Sequence, residues 1–114
     1  MRIALAVALG LGLAACQSSE VSRSLGARCD KSAECDDRCL LTSDGYPGGF
    51  CTLVCDTSDD CPVSDSECAD VEGGACFYTC SDDPSCAFLG VGWVCREADT
   101  REQPARKVMI CRGQ

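Results

Sequence analysis

Apolar residues are concentrated at the beginning of the chain, where they form an unbroken run over residues 3–13. Met1 and Arg2 form a short, positively charged region before this run. A helix that spans a bilayer needs about 20 apolar residues, so this run is too short to do so. A short apolar run that follows a positively charged N-terminal region is typical of a secretory signal peptide. We therefore predict that the protein is exported.

Beyond a polar stretch, apolar residues recur in short groups that follow glycine pairs. The pair Gly48 and Gly49 precedes residues 50–54, and the pair Gly73 and Gly74 precedes residues 75–79. Glycine pairs permit positive φ angles and a tight turn. The β-branched and aromatic residues that follow them predict short strands.

The end of the chain shows a different pattern. Residues 92–96 and 107–112 predict the two strands of a hairpin, separated by a long loop, 97–106. Pro104 blocks regular structure near the end of that loop. The apolar residues of this region are expected to form the one apolar cluster of the protein: Trp93, Phe88, Val108 and Ile110.

Cysteine spacing divides the chain after residue 28 into three units of four cysteines each. The chain has 13 cysteines in 114 residues, a content typical of a disulfide scaffold. Units 1, 2 and 3 span residues 29–54, 55–79 and 80–114. A chain this small usually needs such bridges because its apolar core is small. We predict a small, disulfide-rich fold of three short four-cysteine units, with short antiparallel β-hairpins and little helix.

Twelve cysteines are the predicted disulfide cysteines: Cys29, Cys35, Cys39 and Cys51 in unit 1, Cys55, Cys61, Cys68 and Cys76 in unit 2, and Cys80, Cys86, Cys95 and Cys111 in unit 3. Because disulfides persist in oxidising compartments, their number agrees with export. Four cysteines allow three pairings in each unit, and spacing alone does not choose among them.

The thirteenth cysteine, Cys16, directly follows the apolar run in the sequence Leu13-Ala14-Ala15-Cys16. This motif resembles the lipobox of bacterial lipoproteins. The resemblance implies that residues 1–15 are a cleaved signal peptide and that Cys16 is acylated, with palmitate as an expected chain. Cysteine parity supports it, since assigning Cys16 to a lipid leaves an even number to pair. An ordinary secretory signal, the alternative, leaves one cysteine over.

Two further expectations concern the membrane. Residues 16–28 would then comprise the lipidated cysteine and a flexible, serine-rich tether. Gln17 follows Cys16, and by resemblance to the sorting of Gram-negative lipoproteins, the absence of Asp there implies the outer membrane.

The cysteine-rich body resembles two known kinds of protein. Its C-x5-C-x3-C opening is similar to the opening of epidermal-growth-factor-like modules, and its units are similar to the short cysteine-rich repeats of Gram-negative lipoproteins. The first resemblance implies that the first cysteine of each unit pairs with the third and the second with the fourth.

Charge and composition exclude several functions. Residues 29–95 contain 14 acidic and 2 basic residues, and so acidic a body does not bind nucleic acid through its phosphates. The chain has no histidine, which removes Ser-His-Asp and Cys-His catalysis. The chain also has few residues from which to form a substrate cleft. We predict a non-enzymatic protein without catalytic residues, cofactor or metal.

The acidic runs near the start of each unit have two interpretations. They could supply oxygen ligands for calcium, although no D-x-D-x-D-G spacing is present. They could instead form turns, in which Asp and Ser side chains accept hydrogen bonds from nearby backbone amides. We favour the turns. For zinc, the chain lacks the C-x2-C spacing of a typical site.

Unit 3 is the candidate for specific recognition because it departs from the repeat. It contains the one tryptophan and the one basic stretch of an acidic body, and Trp and Arg often dominate binding energy at interfaces. The candidate residues are Trp93, Arg101, Arg106 and Lys107. Packing of Trp93 within the hairpin is the alternative.

Taken together, the sequence favours a lipid-anchored, non-enzymatic protein of the cell envelope or surface. We expect its stapled body to act as a protein-binding or protective module, with the membrane as one partner and a protein as the other. The alternative function is a protease inhibitor that acts through the loop 97–106, where a basic residue on a stapled loop would engage a trypsin-like protease.

Overall fold

The computed structural model describes residues 21–114, so the predicted signal peptide, Cys16 and residues 17–20 lie outside the described residues. Between residues 21 and 114, the regular structure consists of four 3-10 helices and six strands. The helices are η1 (Ser32–Glu34), η2 (Thr42–Asp44), η3 (Ser58–Asp60) and η4 (Asp83–Leu89). The strands are β1 (Arg38–Leu40), β2 (Phe50–Thr52), β3 (Ser66–Ala69), β4 (Ala75–Tyr78), β5 (Trp93–Asp99) and β6 (Lys107–Gly113). Within residues 21–114, no helix is long and apolar enough to cross a membrane.

Each unit contains one antiparallel hairpin, formed by β1–β2, β3–β4 and β5–β6. In every hairpin the third and fourth cysteines of the unit lie directly opposite each other. These facing pairs are Cys39 and Cys51, Cys68 and Cys76, and Cys95 and Cys111. The predicted fold class, small and disulfide-rich with short hairpins and little helix, is confirmed.

The two facing cysteines of each hairpin are not bonded to each other. Each instead bonds to one cysteine of the C-x5-C segment that opens the unit, so two disulfides fasten that segment across the hairpin. The bridges are Cys29–Cys39 and Cys35–Cys51, Cys55–Cys68 and Cys61–Cys76, and Cys80–Cys95 and Cys86–Cys111. The first cysteine therefore pairs with the third and the second with the fourth, always within one unit.

The glycine pairs occupy the turns that lead into β2 and β4, and all four glycines have positive φ. The second glycine of each pair also lies against the first cysteine of its unit. A Cβ on Gly49 would come 1.8 Å from the carbonyl oxygen of Cys29, and a Cβ on Gly74 would come 2.4 Å from that of Cys55. Glycine is needed here for both its conformation and its size, and the strands predicted after the pairs are present.

All six aromatic residues of the chain form one connected cluster, to which each unit contributes two. Its rings are Tyr46 and Phe50 from unit 1, Phe77 and Tyr78 from unit 2, and Phe88 and Trp93 from unit 3. Phe50 is central: its ring centroid lies 5.5 Å from that of Phe77 and 5.1 Å from that of Trp93. The three units therefore share one hydrophobic core.

This core corrects the prediction of an apolar cluster confined to unit 3. Trp93 and Ile110 are buried as expected, but they pack against residues of units 1 and 2. Val108 is only partly buried, and Phe88 is 42% exposed at the edge of the cluster. The prediction failed because contacts between units join residues that are distant in sequence.

Backbone contacts also join the units. A β-bridge links Val54 of unit 1 to Ala75 of unit 2, and another links Thr79 of unit 2 to Ile110 of unit 3. The buried hydroxyl of Thr52 donates a 2.6 Å hydrogen bond to the carbonyl oxygen of Cys76. Units 1 and 2 are thus connected through their strands as well as through their side chains.

Residues 21–28 were predicted to belong to a flexible tether, and for these residues the prediction is wrong. Leu25 is completely buried in the shared core. Its carbonyl oxygen accepts a 2.8 Å hydrogen bond from the hydroxyl of Tyr78. Gly26 and Ala27 exchange backbone hydrogen bonds with Cys51. Burial of Leu25, together with packing of Val21 against the same core, holds this polar segment on the body.

Strand β5 continues to Asp99, so the loop predicted at 97–106 is shorter than expected and spans residues 100–106. Thr100, at its start, is buried and forms a β-bridge with Ala69 of unit 2. Its hydroxyl accepts a 2.8 Å hydrogen bond from the amide of Arg106, which closes the loop on itself. The loop therefore lies against unit 2.

Candidate functional site: the loop and groove of unit 3

The C-x5-C segments, which carry most of the acidic residues considered for calcium, fold in the same way in all three units. The side chain before the second cysteine bends back and accepts hydrogen bonds from two backbone amides near the first cysteine. The acceptors are Glu34, Asp60 and Ser85, and the amides are those of Asp30 and Lys31, Asp56 and Thr57, and Ser81 and Asp82, at 2.8–3.3 Å. These bonds satisfy amides that a short helix leaves unpaired.

A second side chain of each segment reaches the hairpin. The third residue after the first cysteine accepts a hydrogen bond from the backbone amide of the unit's third cysteine. The acceptors are Ser32, Ser58 and Asp83, at 3.2, 3.1 and 2.8 Å. In all three units, the segment is therefore held to its hairpin by two disulfides and by this equivalent hydrogen bond.

This geometry supports the interpretation of the acidic runs as turn chemistry. The carboxylates of Asp60 and Asp83 accept backbone amides within their own units. The carboxylate of Asp37 accepts the amide of Val54 at 2.7 Å. Hydrogen bonds from two amides also hold the pKa of Asp60 below its ordinary value, because they favour the charged form.

Trp93 is the first of the four predicted recognition residues, and it lies inside the protein. Only 5% of its surface is exposed. Its indole N–H donates a 3.1 Å hydrogen bond to the carbonyl oxygen of Pro47. Trp93 thus fastens unit 3 to unit 1 and is not available to a partner, so for this residue the packing alternative is correct.

The three basic candidates lie at the surface, and each is paired with acidic residues. Arg101 lies 3.5 Å from a carboxylate oxygen of Asp56 and 3.6 Å from one of Asp70. Both acids belong to unit 2, so Arg101 holds the loop against that unit.

Arg106 joins the loop to the same unit. One of its guanidinium nitrogens lies 3.1 Å from Glu67 and 2.6 Å from Glu102. The hydrogen bond to Glu102 has the largest effect and the one to Glu67 the next largest, and both raise the pKa of Arg106. Glu67 also accepts a hydrogen bond from the hydroxyl of Ser58, which connects the loop to η3.

Lys107 is paired within the hairpin. Its ammonium nitrogen lies 2.7 Å from a carboxylate oxygen of Asp99, the residue opposite it in β5. The hydrogen bond to Asp99 raises the pKa of Lys107. The structure thus does not bring the four candidates together as one site.

Glu72 joins units 1 and 2 on another face. Its carboxylate accepts a 3.1 Å hydrogen bond from the hydroxyl of Tyr46, and its carbonyl oxygen accepts one of 2.8 Å from Arg38. Burial, followed by the negative charge of Glu72, raises the pKa of Tyr46. These two hydrogen bonds connect unit 1 to unit 2.

A groove of about 480 Å³ lies between units 2 and 3. Its lining residues are Val63, Asp65, Tyr78, Thr79, Cys80, Ser81, Ser85 and Phe88. Sequence reasoning missed this site because its residues come from two units, and Val63 and Asp65 of unit 2 lie far in sequence from Phe88 of unit 3. Phe88, which we had expected in the apolar cluster, contacts Tyr78 edge to face at 5.0 Å and leaves 42% of its surface exposed.

Cysteine sulfurs come close enough together to suggest metal sites. In each unit three of them lie within 4.8 Å of one another. All belong to disulfides, whereas metals bind the thiolate form. Their proximity therefore follows from the crossed pair of bridges in each unit.

Comparison of the chain with known protein families, with curated proteins and with solved structures finds no match. The candidate site is therefore defined by its own geometry.

Proposed function

We propose that the protein is a lipid-anchored, non-enzymatic component of the cell envelope or surface, placed in the outer membrane of a Gram-negative cell. Its stapled body would present a binding module to a protein partner. The observation that carries this proposal is the complete pairing of the twelve cysteines between Cys29 and Cys111. It supports an oxidising location and leaves Cys16 as the one cysteine outside these bridges.

Rigidity of the body supports a binding function over a catalytic one. Six bridges close loops whose ends are 10–25 residues apart in sequence, and each such bridge contributes about 3 kcal/mol in the chain-entropy model. A rigid surface loses little conformational entropy when it binds a partner. The groove between units 2 and 3 gives this surface a concave site.

The anchor is tested by the variant Cys16→Ser, expressed in a Gram-negative host with labelled palmitate. We expect the parent protein to take up label and to separate with the detergent phase, because several buried acyl chains make attachment effectively irreversible. Cys16→Ser should take up no label and remain unprocessed. Ser18→Ala serves as the control and should behave as the parent. A labelled or processed Cys16→Ser protein would refute the anchor.

The binding function is tested by capture of envelope proteins on the mature, oxidised protein. The same protein after reduction and alkylation is the matched control, because it has the same composition without the folded surface. We expect a partner that only the oxidised protein retains. Absence of any such partner would argue for a purely protective role.

The protease-inhibitor alternative is less well supported. Arg101 and Arg106, the basic residues of the loop, are paired with acids of the same chain. A trypsin-like protease would have to displace these acids to reach either residue. We expect no inhibition of trypsin by the mature protein at stoichiometric concentration, and tight inhibition would favour the alternative.

A further inference from the structure

We propose that the groove between units 2 and 3 binds a basic peptide segment of a partner protein. One lysine or arginine side chain would lie with its apolar stem against Phe88 and Val63 and its cation beside Asp65. This inference deepens the proposed function by naming the chemistry of the partner, and it rests on that function for the partner being a protein.

Two apolar side chains are partly exposed inside the groove. Phe88 and Val63 are 42% and 39% exposed, and both line the groove. The ring of Phe88 is held in position by its edge-to-face contact with Tyr78, whose centroid is 5.0 Å away. An exposed aromatic ring with a fixed orientation can contact both a methylene stem and a cation.

The groove also carries a negative charge. Of the described residues that line the groove, Asp65 is the one that carries a charge. Among the described residues, the carboxylate of Asp65 forms no hydrogen bond or ion pair, whereas those of Asp60, Glu67 and Asp83 do. Asp65 can therefore accept an external cation without losing an internal partner. The acidic surface around it would also steer a basic segment towards the groove.

The size and polarity of the groove suit a peptide segment. Its volume of about 480 Å³ lies within the range of roughly 300–1,000 Å³ that is typical of ligand sites. Thr79 and Ser81 add polar groups beside the apolar ones, as a site for a peptide backbone requires. A long amphipathic side chain with its flanking peptide units matches this combination better than an anion or a purely apolar group.

The test is a titration of the full mature protein, oxidised and isotope-labelled, followed by amide chemical shifts at low salt. The probe is the peptide acetyl-Ala-Lys-Leu-Lys-Ala-amide, and the matched neutral peptide carries Gln in place of both lysines. We expect saturable shifts at residues 63–65, 79–81 and 85–88 with the basic peptide and none with the neutral one.

Variants separate a specific groove from general attraction to an acidic surface. Phe88→Ala and Asp65→Asn should each weaken binding about three- to fivefold, the effect expected of an exposed cation–π contact or ion pair. Asp59→Asn removes the same charge from an exposed residue outside the groove, and Val91→Ala truncates a side chain that is 96% exposed elsewhere. Both controls should bind as the parent does.

Three results would overturn the inference. They are no saturable shift with the basic peptide, equal weakening of binding by Asp59→Asn and Asp65→Asn, or concentration-dependent shifts in the groove without peptide, which would indicate that a second copy of the chain binds there.

Capture from envelope extracts distinguishes failure of the groove inference from failure of the proposed function. If the parent and a Phe88→Ala, Asp65→Asn double variant retain the same partner equally, the groove is excluded and the binding function stands. If the parent retains none, the binding function itself fails.

Discussion

At the scale of single residues, the position before the second cysteine has the same role in each unit. Its side chain accepts backbone hydrogen bonds, although the residue type differs from unit to unit. Glu34, Asp60 and Ser85 all stand directly before the second cysteine, and each accepts two backbone amides. The common requirement is an oxygen acceptor at that position, since a carboxylate and a hydroxyl both meet it. Sequence comparison of the units does not reveal this because the three side chains differ in length and charge.

The variant Ser85→Ala tests this role without changing charge. We expect a loss of about 0.5–2 kcal/mol in the free energy of unfolding, as for other helix-capping side chains. Ser64→Ala is the control, because Ser64 is exposed and should change the free energy by less than about 0.5 kcal/mol. Both are measured by chemical denaturation with the disulfides intact. Equal stability of the two variants would contradict the capping role.

Asp60 adds a pH dependence at the same position. Because two amides hold its pKa below the ordinary value of 3.8, its contribution is complete above that pH and is lost as the pH falls through the lowered pKa. In an NMR titration, we expect the Asp60 carboxyl carbon and the amides of Asp56 and Thr57 to titrate together below pH 3.8. In Asp60→Ser the amide of Thr57, which has no ionisable side chain of its own, should lose this titration. A midpoint at or above 3.8 in the parent would refute the prediction.

At the scale of elements, the sequence contains enough information to predict the hairpins but not the full bounds of every loop. Glycine pairs followed by β-branched and aromatic residues predict β2 and β4, because positive φ and strand propensity are local properties. Strand β5 extends to Asp99 through contacts with β6 and unit 2, which are not local. For the same reason, burial of Leu25 could not be predicted from the polar composition around it.

The second glycine pair offers a matched test of local geometry. Gly73 and Gly74 both have positive φ, but an added Cβ meets nothing within 4 Å at Gly73 and comes 2.4 Å from the carbonyl oxygen of Cys55 at Gly74. Gly73→Ala should therefore cost only the strain of the left-handed conformation, about 1–2 kcal/mol. Gly74→Ala should cost clearly more, because the backbone must also move. Thermal denaturation of both oxidised variants measures the difference, and equal costs would show that the close approach is unimportant.

Contact between the units can be tested at Thr52. Its hydroxyl is fully buried and bonds the carbonyl oxygen of Cys76 across units 1 and 2. Thr52→Val keeps the shape and leaves that carbonyl without its bond, so we expect a loss of about 1–3 kcal/mol in the free energy of unfolding. Thr42→Val, at an exposed residue, should change it by less than about 0.5 kcal/mol. If Thr52→Val is as stable as its control, the hydrogen bond does not join the units.

At the scale of the whole molecule, the three units are separate in their disulfides and joined in their core. Cysteine spacing predicts the units because each C-x5-C segment marks a beginning. The shared core could not be predicted in the same way. Each unit supplies only two aromatic rings, and no unit has enough apolar side chains to form a core by itself. The groove between units 2 and 3 follows from the same arrangement, because packing one unit against the next leaves Phe88 at the edge.

Sharing of the core predicts that damage in one unit spreads to the others. Phe50→Ala removes a completely buried ring of unit 1 that packs on Phe77 and Trp93, at a cost of about 3–5 kcal/mol. With the disulfides intact, we expect one cooperative unfolding transition at lower temperature. Amide exchange should accelerate in β5 and β6 of unit 3 as well as in β1 and β2. Val54→Ala, at a site that is 57% exposed, should leave exchange in all three hairpins unchanged. If Phe50→Ala accelerates exchange in β1 and β2 alone, the units are energetically independent and the aromatic contacts between them do not stabilise the molecule.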